Sequence, residues 1–368
     1  MISQTEVLSE MKKFVRVNTF YGLSLYIIDV TMYVGLICGV LFLPYIWMKI
    51  IASVLAGLKI SNLATVAHDA AHNSLTKNRT LNKFIAVTAL LPCMINYRLW
   101  VYNHHQLHHA LTNLHSSAPF SRDNYAPFSK EEFDALTPFN RWKEKIYRRP
   151  SLYVFGIYFM LERWLQVMLF PRDHMQKRIH PSAWRYFVLV TAWFTGYITV
   201  LCLTSIYSNS STAIAIILGF VLPFFIFQCF IGFTVYVQHT HPGVAWFKYA
   251  RRQSDNQKEN SRQEFVSVQL TFPRWLALLM QMHHAYDHGA HHVCPSIPCY
   301  MLGRAQARLN EILCGRAVTQ SFSFAWLFTT MRMCKLYDYE NHLWLDFDGN
   351  PTSKVKLATE SIKYANAA

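Results

Sequence analysis

Apolar residues along this chain gather in four long runs instead of alternating in strands or striping one helix face. The first covers Tyr21–Leu43 (YGLSLYIIDVTMYVGLICGVLFL) and the second about Tyr45–Ala67, with Pro44 between them. The third covers Tyr186–Tyr207 and the fourth Thr212–Val237; both are uncharged, and only SNSS (Ser208–Ser211) separates them. A helix needs about 20 consecutive apolar residues to cross a bilayer core, so the pattern predicts four spans in two hairpins. The first run is too long for a signal-peptide core and has no small-residue cleavage site after it, so it is expected to remain a span. Phe84–Tyr97 is interrupted by Pro92, and Ser151–Phe170 holds Glu162 and Arg163 at its centre. Both are expected to be interfacial or re-entrant helices. The predicted fold is an all-α integral membrane protein with a helical cap at the end where the polar segments collect.

Composition agrees: 52% of the residues are hydrophobic and 15% charged, against about 25% charged in soluble domains. The sign of the charge adds sidedness. Apart from Lys49 and Lys59, every Lys and Arg lies in the N-terminal segment, the middle loop or the C-terminal region. The positive-inside rule puts those three segments, and both termini, in the cytoplasm. A basic face against anionic lipid then accounts for the net charge of +14 without a nucleic-acid partner. The eight cysteines form no CxxC pair and are expected to be packing thiols in a reducing compartment. Asp29 and Lys59 each stand fifteen residues from Pro44, which sets them at one depth of the first hairpin. Charges inside a membrane usually pair, so they are expected to form a structural ion pair.

The chemistry lies in the histidines, seventeen in all. HDAAH supplies His68 and His72 at the end of the second span. NHHQLHH supplies His105, His108 and His109, and HGAHH supplies His288, His291 and His292. Spacings of three and four put each group on one face of a helix. VQHTHP adds His239 and His241 just past the fourth span. The topology brings all of them to the same interface. Neutral imidazole suits Zn, Cu, Fe and Ni, and eight or nine histidines exceed what one ion takes, so two metals are implied. His115, His174, His180 and His342 are expected to be ordinary core or surface residues.

With HDAAH, HQLHH and HGAHH in that order, and HHVCPSIPCY after the last, the chain resembles the membrane fatty acid desaturase superfamily over about residues 20–310. The resemblance implies a desaturase domain at 21–310, preceded by a cytoplasmic segment 1–20 and followed by a cytoplasmic extension 311–368. It implies His68, His72, His105, His108, His109, His288, His291 and His292 as metal ligands, with His239, or its rival His241, as the isolated ligand. His104, His241, His283, His284, Asp69 and Asp287 are candidates for orienting those ligands through hydrogen bonds. The cofactors implied are two iron ions with O2 as co-substrate, and the reaction is insertion of a C=C bond into a fatty acyl chain that is lipid-, ACP- or CoA-linked or free. Electrons would come from a separate donor such as a ferredoxin, a rubredoxin or cytochrome b5 with its reductase. The short loops lean towards a bacterial inner membrane. Hydroxylation, acetylene formation and oxidative decarboxylation on the same scaffold remain alternatives, because channel shape decides among them. A non-catalytic metal-binding membrane protein would want ionisable groups throughout the spans, where only Asp29 and Lys59 are available. Lys143, Lys145, Arg148 and Arg149 are expected either to meet the substrate's head group or to serve as membrane-surface charge.

Overall fold

The computed structural model describes residues 3–115, 125–172, 180–248, 261–280, 283–355 and 357; His174 lies outside them. Four helices are long and apolar enough to cross a membrane: Thr19–Phe42, Ile46–Ala71, Ala183–Ser205 and Thr212–His239. Asn18 starts the first by accepting from the Tyr21 amide, and the helix stops just short of Pro44, where a backbone donor would be missing. The second span is the central, most buried one, while the third is turned outward along most of its length. Gly57 lets the second and fourth spans approach closely. A Cβ there would lie 2.7 Å from the Pro223 carbonyl oxygen.

Two polar clasps hold the hairpins. Midway, Lys59 Nζ lies 3.1 Å from Asp29 Oδ1, with both side chains buried. At the end remote from the histidines, Lys49 Nζ donates to the carbonyls of Leu41 and Asn209 and to Ser210 Oγ. Ser210 Oγ donates in turn to the Val40 carbonyl at 3.0 Å, and Asn209 Nδ2 to that of Phe42 at 3.3 Å. The last carbonyls of the first span, which have no partner within their own helix, are thus capped from the second hairpin.

The two shorter apolar stretches form no helix long and apolar enough to cross a membrane. They form helices Arg79–Leu90 and Tyr97–Val101, and Tyr153–Tyr158 running on as a π-helix over Phe159–Met168. They are knitted together by Trp164 Nε1 donating to the Met94 carbonyl at 2.7 Å and by the Asn96 amide donating to that of Met168 at 2.9 Å. Glu162 is satisfied by Lys143 and by the Tyr147 hydroxyl, each at 2.8 Å.

The cap is not wholly helical. Leu114–His115 pairs in parallel with Phe247–Lys248, and Gln269–Thr271 with Thr319–Ser321. Leu336–Asp338, Leu343–Leu345 and Pro351–Lys354 make an antiparallel sheet over the buried Trp246 and Trp344. Strands of two to four residues are too short for an alternating pattern to register. Arg148 is buried beneath this sheet. Its guanidinium donates to Glu144 Oε1 at 3.0 Å and to the carbonyls of Tyr125 and Ala126. It is therefore an internal tie and not a surface cation.

Candidate metal centre

Each histidine segment is delivered by its own element. His68 sits in the last turn of the second span and His72 is that helix's C-cap. Asn96 caps the short helix Tyr97–Val101, and the chain then widens into a π-helix over Tyr102–His108. His239 is the last residue of the fourth span, and His288, His291 and His292 lie on helix His288–Val293. Their nitrogens gather in two clusters. His68, His72, His104, His109 and His291 form one, and His108, His239, His288 and His292 the other. In each, one nitrogen per ring lies within 4.8 Å of the others. The second and third segments therefore feed both clusters instead of presenting one face to one ion.

The tautomers follow from what faces the outer nitrogens. His239 Nδ1 is 3.1 Å from the Val266 carbonyl and His292 Nδ1 is 2.9 Å from Gln263 Oε1. Both partners only accept, so both Nδ1 atoms carry protons and both Nε2 atoms present lone pairs. Those lone pairs converge on His288 Nε2, at 3.0 Å from His239 Nε2 and 2.9 Å from His292 Nε2. A single proton on His288 can satisfy only one of them, whereas a cation satisfies all three. Imidazole nitrogens about 2.0–2.1 Å from one ion and at right angles to each other lie ~3.0 Å apart, which matches. In the other cluster His109 Nε2 is 3.0 Å from His104 Nε2 and 3.1 Å from His291 Nε2. His68 Nδ1 faces Asp69 Oδ1 at 3.0 Å, so its Nε2 is likewise left as a lone pair. The His72 Nε2 atom is buried without a hydrogen-bond partner. The donor set fits two metal ions.

Burial, reinforced by the neighbouring imidazoles, holds His104, His288, His291 and His292 well below the ordinary histidine range. The same causes push His105 down to about 4 and His109 to about 2. All are neutral at pH 7, the form a metal takes. Metal-free protein follows the corresponding sign. The unfolded chain binds protons near pH 6.5 where the folded one does not, so stability is present above that pH and is lost as pH falls. The thermal midpoint of metal-stripped protein in detergent is expected to hold from pH 8 to 7 and to drop steadily between pH 6.5 and about 4. A midpoint that rises on acidification would contradict the assignment.

The remaining candidates have definite places. The His105 ring is 4.1 Å from that of His72 at the edge of the five-histidine cluster, its Nε2 buried and without a partner. Asp69 bridges outward, accepting at Oδ2 from the Cys299 amide that opens helix Cys299–Leu313. His241 faces away, taking the Gly243 amide at Nδ1 and lying 3.4 Å from Gln320. Asp287 bonds His284 Nδ1 at 3.0 Å, and that carboxylate raises the otherwise exposed imidazole's pKa. His283 reaches Asp29. Sequence spacing ranks His104 only as an orienting residue, because it assumes 3.6 residues per turn; i→i+5 bonding aligns it with His109 in the five-histidine cluster. Gln263 and the Val266 carbonyl carry no sequence signal at all.

Beside the clusters lies a cavity of about 120 Å³, its walls formed by His68, His104, His108 and His288 on one side and by Ala64, Ile95, Phe159, Met168, Phe227 and Ile231 on the other. The family model described as Fatty acid desaturase matches residues 44–324.

The chain belongs to the fatty acid desaturase family.

Among its relatives, the chloroplastic omega-6 fatty acid desaturase of Spinacia oleracea is 24% identical over 83% of this chain and 61% of its own length. The sn-1 oleoyl-lipid 12-desaturase of Synechocystis sp. is 23% identical over 82% of this chain and 80% of its own. The sn-1 acyl-lipid omega-3 desaturase (ferredoxin) of Synechocystis sp. is 23% identical over 74% and 68%. The chain thus spans about three fifths of the length of the chloroplastic relatives. In keeping with that membership, the chain has four helices long and apolar enough to cross a membrane and, among the described residues, two histidine clusters able to hold metal.

Proposed function

We propose that this chain is an O2-dependent di-iron desaturase that introduces a double bond into a fatty acyl chain carried by a membrane lipid. The observation that carries the reading is the convergence of lone pairs in two adjacent histidine clusters on the wall of an apolar cavity. The family's named activities and the lipid substrates in two relatives' names support it. Iron bound there would supply the coupling of O2 reduction to removal of hydrogen from an unactivated methylene.

The protein's own residues bind and orient. His68, His72, His105, His109 and His291, joined by His104, serve one ion, and His108, His239, His288 and His292 the other. Asp69 keeps the proton of His68 on Nδ1, and Val266 and Gln263 do the same for His239 and His292. The cavity wall takes the acyl chain, each buried methylene contributing about 0.8 kcal/mol, and keeps water from the reacting carbon. The termini and the histidine end would face the cytoplasm of a bacterial inner membrane, where a separate reduced donor of the ferredoxin, rubredoxin or cytochrome b5 type could reach them. The catalytic unit would span residues 21–310.

Lipid profiles of a host expressing the wild type, His104→Ala or His105→Ala test this. New unsaturated acyl chains are expected with the wild type and not with either variant. Hydroxylated, acetylenic or chain-shortened products would move the reaction to a sister class, and unchanged lipids from an iron-free protein would refute the reading.

A further inference from the structure

The turn that leads into the third histidine segment is bent against its own preference. His283 and His284 stand at φ +45° and +62°, a left-handed conformation that residues bearing a Cβ avoid unless their surroundings impose it. One of the two is fastened locally: His284 Nδ1 bonds Asp287, and the Asp287 amide returns to the His284 carbonyl at 3.0 Å. The other is fastened from far away. His283 Nε2 lies 2.6 Å from Asp29 Oδ2 in the first span, 254 positions away in the chain. An ionised carboxylate only accepts, so the imidazole donates. Asp29 is itself 1% exposed and fixed by Lys59 Nζ at Oδ1, with Asn62 Nδ2 at 3.5 Å. Directly after the turn, the Ala285 carbonyl accepts from Gln238 Nε2 at 2.8 Å, one residue before His239. Helix His288–Val293 then begins.

The geometry points to Asp29 as a positioning residue for the metal centre. Through His283 it holds the strained turn that sets the register of His288, His291 and His292, and Lys59 keeps its carboxylate aimed. Neither His283 nor Asp29 belongs to a metal cluster among the described residues, so the action is on ligand placement and not on the metal itself. The inference rests on the proposed metal centre.

Purified protein in detergent is loaded with ferrous ion, and its affinity is read by chelator competition, alongside the thermal midpoint of the metal-free form. His283→Ala leaves the buried Asp29–Lys59 pair intact and is expected to weaken iron binding about tenfold, as loss of a ligand-orienting contact does. His283→Gln, whose amide can still donate to Asp29, is expected to stay within about threefold of wild type. Asp29→Leu/Lys59→Met removes both buried charges together, and with them the acceptor for His283. It is expected to keep the metal-free midpoint near wild type while iron binding stays about tenfold weaker. Wild-type affinity in His283→Ala or in the double variant would overturn the positioning role and leave a purely structural ion pair. A wild type that binds no iron would overturn the metal centre itself, and the positioning role with it.

Discussion

Replacing His288 with alanine is expected to abolish desaturation and to empty the four-histidine cluster while the five-histidine cluster still binds metal. His288 Nε2 is the atom on which His239 and His292 both converge, so its loss takes away the nitrogen that lies nearest to both. Removing a partner that merely orients a ligand costs 10–100-fold in affinity; removing the shared ligand should exceed about 100-fold on the same scale. Metal per chain, together with lipid products from the same preparation, would check it. His180→Ala provides the control, since that imidazole is exposed and bonds only Ser182 among the described residues. Full metal content with lost products in His288→Ala would mean that His288 touches substrate and does not hold metal.

Arg148→Met is the second large effect, and it falls on stability. The side chain is 3% exposed, and its guanidinium is spent on Glu144 and on the carbonyls of Tyr125, Ala126 and Cys334. Removing one member of a buried ion pair destabilises by about 3–5 kcal/mol. The variant is expected to lose cap structure, read as a lowered thermal midpoint and early proteolysis between residues 125 and 150. Arg148→Met/Glu144→Leu should recover part of the loss, because an apolar pair does not leave a charge stranded. A head-group role predicts the opposite signature: an unchanged midpoint with a raised KM for the acyl lipid.

Much of the membrane architecture is legible in the sequence because it depends on run length, which side-chain detail cannot disguise. Pro44 and SNSS mark the turns, and equal distance from Pro44 sets Asp29 and Lys59 at one depth. The histidine spacings likewise announce a metal centre before any fold is known. What the spacings do not carry is the partition of the histidines between two clusters. That depends on the π-helix at Tyr102–His108, within which Asn103 Nδ2 donates to the Leu99 carbonyl one turn back and to the distant Val167 carbonyl, each at 2.9 Å. A regular α-helical reading groups His104 with His108, one turn on, and nothing local shows that it instead joins His109 in the five-histidine cluster. The groups that set the tautomers are hidden for a different reason. A backbone carbonyl such as that of Val266 has no residue identity to reveal it, and the approach of His283 to Asp29 joins segments separated by most of the chain.

The clasp around Lys49 has a mechanical consequence. At that end the two hairpins cannot part without leaving an ammonium and several span-end carbonyls bare towards lipid, each unsatisfied group costing several kcal/mol. At the histidine end the fourth span is tied instead to the cap, whose elements are separate pieces of chain, through Gln238 Nε2 donating to the Ala285 carbonyl at 2.8 Å. The bundle therefore behaves like tongs riveted at the far tip. On the acyl-lipid reading proposed above, a long acyl chain would enter from the histidine end and lie with its methyl terminus nearest the rivet.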